Sequence, residues 1–208
     1  MKVAPAQTLR VCVFCGSSVG SNEAYLREAK ELGAAIAAAG WGLVCGGTSI
    51  GLMGATADAA LAAGAEVIGV LPQALQDREI AHTGLTQLHL VGSMHERKAL
   101  MASLADAFVA LPGGYGTLDE FFEVVTWAQL RIHNKPCVLV NTAGYYDPLM
   151  RFLDHMIRQG FVKEQNRNLI GLARDAKHAL ELVAAERKLV LERRLIDSDS
   201  EEASGILP

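Results

Sequence analysis

No apolar run in this 208-residue chain continues for the ~20 positions needed to cross a bilayer; glycine or charge interrupts each one. Basic clusters are missing too. Lysine and arginine number 19 against 23 carboxylates, for a net charge of −4, and beyond pairs such as Arg97-Lys98 and Arg193-Arg194 the cations are scattered. This balance argues against nucleic acid or an anionic membrane as a partner. The opening stretch MKVAPAQTLRVCVFCGSS lacks the apolar segment of a signal peptide, so a cytoplasmic location is expected. Cysteines are few, 4 in all. Cys12 and Cys15 form a C-x-x-C inside a strand-like run, where positions three apart point to opposite faces, so the pair is poorly placed to chelate or to cross-link. Cys45 and Cys137 also sit in apolar runs, and buried, reduced thiols are expected throughout. The histidines, His82, His89, His95, His133, His155 and His178, follow no metal-ligand spacing and read as surface or packing residues.

What the chain does have is 50% hydrophobic content, enough for the core of one α/β domain. Short β-rich runs alternate with helical periodicity. Strands are expected at 9–16, 41–47, 65–72, 85–92, 106–114 and 135–141. Helices are expected at 22–40, 51–64, 93–105, 117–131 and 146–160, with a polar loop at 73–84. This alternation predicts right-handed crossovers and a doubly wound, mostly parallel sheet flanked by helices, in a single domain over 1–196. A terminal helix is expected at 175–194 and a frayed tail at 197–208.

Three strand ends carry small residues: CGSS at Cys15–Ser18, CGGTSIGLMG at Cys45–Gly54 and LPGGYGT at Leu111–Thr117. In a parallel sheet these ends share the edge where ligands bind. Glycine lets backbone amides approach an anion, and a helix N-terminus adds a favourable dipole. Together the turns read as a phosphate or nucleotide cradle; singly, each could be no more than a tight strand-to-helix connection. GGTSIGLMG has no lysine and so is no P-loop, and GYGTLD lacks the third glycine of a dinucleotide fingerprint. A mononucleotide fits better than ATP hydrolysis or NAD binding.

Two charged groups stand beside these turns. Thr117 and Glu120 are spaced as a capping box, yet Leu118, Phe121, Phe122 and Val125 already supply an apolar stripe, leaving Glu120 with Glu123 and Trp127 on another. Glu120 is therefore either a cap or a carboxylate in the first turn, beside the cradle, able to bind sugar hydroxyls or stabilise a cationic sugar. Arg97 and Lys98 are expected in the first turn of their own helix, where cations oppose the dipole. A bound anion would explain them; so would a solvated pair on an exposed face. Glu79 belongs to the polar loop, which could cover the site or reach a neighbouring subunit.

At these residues the chain resembles the LOG ("Lonely guy") family, cytokinin-activating phosphoribohydrolases often mislabelled lysine decarboxylases. PGGYGTLDE at Pro112–Glu120 matches the family's P-G-G-x-G-T-x-x-E signature, and SMHERK at Ser93–Lys98 its companion. FCGSS, GGTSIGLMG, HTGLTQLHLVGSMHERK and KPCVLVN extend the likeness over about residues 10–167. Asp119 departs from the glutamate of many members. The resemblance implies a Rossmann-like hydrolase of N-glycosyl bonds, cleaving N6-modified adenosine 5′-monophosphate to free base and ribose 5-phosphate. It also implies a homodimer with active sites at the subunit interface, and no metal or cofactor. Arg97 and Glu120 correspond to the catalytic pair. Glu79, Met94, Lys98, Gly114, Tyr115, Gly116, Thr117, Leu118, Asp119 and Thr126 correspond to substrate contacts, and Gly113, Gly16, Ser17, Gly46 and Gly47 join them from the glycine turns. An AMP nucleosidase without a cytokinin role, or a non-catalytic nucleotide or cofactor carrier on the same fold, are the alternatives. No lysine is identifiable as poised for a pyridoxal Schiff base.

Overall fold

The computed structural model describes residues 8–75 and 81–189. Within them one sheet contains β1 (Arg10–Phe14), β2 (Gly42–Cys45), β3 (Val67–Pro72), β4 (Gln87–Val91), β5 (Ala107–Ala110), β6 (Cys137–Val140) and β7 (Gly171–Ala173). The order is β4-β3-β2-β1-β5-β6-β7, and every neighbouring pair is parallel. The connecting helices are α1 (Glu23–Ala38), α2 (Gly51–Ala62), α3 (Met94–Leu104), α4 (Tyr115–Gln129) and α5 (Asp147–Arg158), followed by α6 over 176–189. No helix among the described residues is long and apolar enough to cross a membrane.

Strand periodicity builds two cores. Val11, Val13 and Cys15 face α1, α2 and α6 through Leu32, Ile36, Leu52, Ala57, Ala179 and Val183. Cys12 and Phe14 face the other way, onto Met101 of α3, Phe121 and Val124 of α4 and Leu153 of α5. Both sides of the sheet are covered, which is why its central strands read as continuous apolar runs rather than alternating ones. Cys12 and Cys15 accordingly lie in different cores, and Cys12, Cys15, Cys45 and Cys137 are all free and buried.

Most boundaries fall where the sequence places them. Asn22 caps α1 by accepting from the Ala24 amide at 2.9 Å, and Gly40 follows the helix at φ +71°. Two elements differ from expectation. β7 has no counterpart in the sequence pattern: three residues, GLA, at the edge of the sheet are too short for period-two alternation to register. And α4 begins at Tyr115, with Gly114 as its N-cap, two residues before the expected start at Thr117. Glu79 and the tail at 197–208 lie outside the described residues, as do the last residues of the expected terminal helix.

The strand order reverses at β1, so the loops leaving β1 and β5 diverge to opposite sides of the sheet and open a crevice between them. The Gly16 amide donates to the Pro112 carbonyl across it at 3.1 Å. That crevice is where all three glycine turns meet.

Candidate active site

A cleft of about 320 Å³ opens there, lined by Cys15, Gly16, Ser17, Thr48, Met53, Arg97, Gly114, Tyr115, Gly116, Thr117 and Glu120. Its floor is an ion pair between α3 and α4: Nη1 of Arg97 lies 3.5 Å from Oε1 of Glu120, with each side chain only 8% exposed. Arg97 is held from below as well. Its Nε donates to the Val70 carbonyl at 3.1 Å, and its Nη2 to the Gly46 carbonyl at 3.4 Å. Both acceptors sit at the C-terminal edge of the sheet, so the guanidinium is anchored on backbone and turned toward one carboxylate. Burial pushes the Glu120 carboxyl above the ordinary glutamate range; Arg97 and Lys98 pull it back, while Asp119 and Glu123 add to the rise.

This geometry removes the capping-box reading of Glu120. With Gly114 as N-cap, Thr117 is the third residue of α4 and Glu120 the sixth, so the carboxylate stands in the second turn, not the first, beyond reach of a capping role. The helix start is capped by no side chain. The Tyr115, Gly116 and Thr117 amides precede the first intrahelical bond, Leu118 N–H to the Gly114 carbonyl, and have no helical acceptor. The capping pattern that does operate belongs to α3. Ser93 Oγ accepts from the Glu96 amide at 3.1 Å and Glu96 Oε2 from the Gly92 amide at 2.7 Å, a signal legible as S-x-x-E.

The cations of α3 also need a new account. Arg97 makes the first i to i−4 bond of α3, to Ser93, and Lys98 comes next, in the second turn; neither lies on a solvated face. Arg97 meets Glu120, and Lys98 Nζ lies 3.1 Å from Asp119 Oδ2 and 3.2 Å from Glu123 Oε1. Carboxylates of α4 therefore compensate both charges within the chain.

The glycines divide into two kinds. A Cβ on Gly46 would lie 2.0 Å from Arg97 Nη2, and one on Gly113 would lie 2.1 Å from Thr117 Oγ1; these two are demanded by close packing. Gly114 and Gly116 differ. Neither has a positive φ, and a Cβ on either would meet nothing within 4 Å. No packing or backbone need among the described residues accounts for them, whereas a ligand seated on the first amides of α4, which have no helical acceptor, would. Two tyrosines brace this loop: Tyr145 Oη donates to the Gly113 carbonyl at 2.6 Å, and the buried Tyr146 Oη to the Leu111 carbonyl at 2.7 Å.

Of the remaining expected contacts, Ser17 and Tyr115 line the cleft, and Tyr115 is 95% exposed at its rim. Met94 is exposed above Arg97, with Sδ 4.0 Å from Nη1. Gly47 lies beneath, against the β3 backbone, at φ +82°. Leu118 packs into the core on the α4 side. Thr126 is not brought to this cleft; it bonds the Phe122 carbonyl and borders a smaller apolar hollow with Val125 and Met156. Sequence reasoning misses Thr48 and Met53. Thr48 is 1% exposed and its hydroxyl donates to Met53 Sδ at 3.3 Å; nothing in the pattern distinguishes it from an ordinary loop threonine.

The family described as "Possible lysine decarboxylase" matches residues 53–183. A "Cytokinin riboside 5′-monophosphate phosphoribohydrolase" of Rhodococcoides fascians is 48% identical over 171 residues, which is 82% of this chain and 86% of that one. The chain belongs to the LOG family. LOG1 of Arabidopsis thaliana, with the same descriptive name, is 49% identical over 168 residues, 81% of this chain and 79% of its own. Among solved structures, the molybdenum cofactor carrier protein of Chlamydomonas reinhardtii superposes with a TM-score of 0.67 at 25% identity, covering 88% of this chain and 99% of that one. The LOG-family fold thus also serves a protein described as a carrier, and the side chains in the cleft must distinguish the two.

Proposed function

We propose that this LOG-family chain hydrolyses the N-glycosidic bond of N6-modified adenosine 5′-monophosphates, releasing the free base and ribose 5-phosphate. The observation that carries the reading is the buried Arg97–Glu120 pair at the floor of a cleft, beside the amides that open α4, which have no helical acceptor. The 5′-phosphate is assigned to those amides and to the space over Gly114 and Gly116. That leaves the ribose over Glu120.

Breaking the bond between C1′ and the base nitrogen leaves positive charge on the sugar and negative charge on the departing base. A carboxylate under C1′ stabilises the oxocarbenium-like state and orients water. Water adds its hydroxyl to C1′ and a proton ends on the base, so no other reactant is needed. Arg97 keeps its proton and serves by charge, holding Glu120 in place and offering a cation to phosphate or base. Because the pair is buried and Arg97 is anchored on backbone, it has little to reorganise as charge develops.

The carrier reading has the structural neighbour in its favour, and AMP turnover without N6 preference is the second enzyme reading. Chromatography after incubation with isopentenyladenosine monophosphate, its riboside and AMP separates them. Release of base from the first, with the riboside nearly untouched, is expected. Equal turnover of the riboside would overturn the phosphate assignment, and no base from any substrate would favour the carrier.

A homodimer belongs to the same proposal. Leu88, Leu90, Met94 and Tyr115 are exposed, on edge strand β4, at the start of α3 and at the cleft rim, where a second copy would cover them. Light scattering giving a monomer mass at micromolar concentration would count against it. Four free, buried thiols suit the reducing cytoplasm we assign to the chain.

A further inference from the structure

The second cation of α3 has no direct place in the chemistry above, yet its surroundings are unusual. Within one turn of α4 the chain sets three carboxylates: Asp119 immediately before Glu120, and Glu123 three residues after it. Asp119 and Glu123 are i, i+4 neighbours of like charge, an arrangement that destabilises a bare helix. Only two cations, Arg97 and Lys98, are paired with this group among the described residues. Lys98 Nζ bridges the outer two at 3.1 and 3.2 Å, with its side chain 13% exposed. Glu123 has a buried Oε2 with no hydrogen-bond partner, so its compensation rests on the Lys98 contact to its other oxygen.

We propose that Lys98 is a positioning residue for this reaction: its ammonium neutralises Asp119 and Glu123, and so reserves the Arg97 charge for Glu120. The inference rests on the hydrolase reading and gives Lys98 a role other than the substrate contact that the family resemblance implies. Without Lys98, one guanidinium would face three carboxylates inside about one turn of helix. Arg97 is held by the Val70 and Gly46 carbonyls and would have to give up those bonds to serve the outer two. Glu120 would instead bear their repulsion and ionise less readily.

The charged groups around Glu120 act in opposite senses, set against a burial that raises its pKa. From α3, Arg97 and Lys98 favour its charged form; from its own helix, Asp119 and Glu123 oppose it. From the sheet, Cys12 and Cys15 also face it, but burial raises both thiols well above their ordinary value, so they remain neutral. Burial pulls the Lys98 ammonium down, but its bonds to Asp119 and Glu123 outweigh that and hold it above the ordinary lysine value. Lys98 therefore stays charged across the range in which Glu120 titrates.

The test tracks Glu120 by carbon NMR in protein labelled at the glutamate carboxyl carbon, its signal identified by its loss in Glu120→Gln, alongside the pH dependence of kcat/KM. The NMR titration needs no turnover, so an inactive wild type would end the hydrolase reading while leaving this inference measurable. Lys98→Met should move the Glu120 midpoint and the acid limb of the rate profile to higher pH. Asp119→Asn and Glu123→Gln should each move them to lower pH, and Lys98→Arg should leave them near wild type. Should Lys98→Met fold poorly, the Asp119 variant, altered at a side chain 62% exposed, still reports the sign. An unmoved midpoint in Lys98→Met or Asp119→Asn, or a raised KM with the acid limb in place, would overturn the proposal and return Lys98 to substrate binding.

Discussion

Replacing Gly46 with alanine would put a methyl carbon 2.0 Å from Nη2 of Arg97 and 2.9 Å from both Cε and Sδ of Met53. Ordinary carbon–nitrogen contact begins near 3.5 Å, so the guanidinium must withdraw by about 1.5 Å. Gly46 has an unexceptional φ, and the alanine backbone itself is unstrained. The strain therefore falls on the side chains. Because the guanidinium is planar and rigid, moving Nη2 breaks the 3.4 Å bond to the Gly46 carbonyl and carries Nη1 away from Glu120, already at 3.5 Å. A misplacement of this size at a reacting centre costs about a hundredfold in rate, equivalent to about 2.7 kcal/mol of transition-state stabilisation at 1.36 kcal/mol per tenfold. The overpacking itself should cost about 1–3 kcal/mol of stability.

The assay is base release per folded molecule at saturating N6-modified monophosphate, beside a urea unfolding curve. Gly33→Ala serves as the control. There a Cβ would lie 2.2 Å from the Thr56 carbonyl oxygen, where α1 crosses α2 on the other side of the sheet from α3 and α4. Its clash is with backbone, so it should lose at least as much stability and keep its turnover per folded molecule. Wild-type turnover in Gly46→Ala, or parallel losses in both variants, would refute the claim that Arg97 works only where the sheet edge holds it.

Gly116→Ala should be stabilised by a few tenths to about 1 kcal/mol, since alanine is the better helix former and its Cβ meets nothing within 4 Å; KM for the monophosphate should nevertheless rise, and an unchanged KM would empty the proposed phosphate cradle. Tyr146→Phe removes a 2.7 Å bond to the Leu111 carbonyl at a residue 1% exposed, and should cost about 1–3 kcal/mol in chemical unfolding; no loss would mean that the loop is held without it. Glu120→Gln should keep the fold and lose about a hundredfold or more in turnover, and retention of the rate would leave Arg97 without a partner. The same variant has a pH signature. Because burial raises the folded pKa of Glu120, the native state binds more protons than the unfolded state between the ordinary carboxylate range, about pH 4, and that raised value. Wild-type stability therefore falls through this window as pH rises. Glutamine does not titrate, so the stability of Glu120→Gln relative to wild type should climb across the window in urea titrations; a flat difference would mean that Glu120 is not desolvated.

Local patterns carried the architecture. The βα alternation is written in short apolar runs bounded by glycine, and those runs exist because the central strands are buried on both faces. The small residues at strand ends marked the ligand edge for the same reason: parallel strands can only leave the sheet there. Where a segment was too short to hold a period, as in the three residues of β7, the pattern had nothing to register.

The identity of the charged residues was equally legible, but their partners were not. T-x-x-E at Thr117–Glu120 looks like a cap until the chain path shows that Gly114, with no side chain to offer, begins the helix. Arg97 and Lys98 look like an anion site until α4 is laid against α3 and supplies Glu120, Asp119 and Glu123. Gly46 looks like one more phosphate glycine, yet the contact that requires it comes from Arg97, 51 residues away. Spacing along the chain is set by helix and strand periods, so sequence alone decided which elements form and which edge collects the functional residues. Charge pairing and close approach act across space between elements far apart in sequence, and only the tertiary structure decided those.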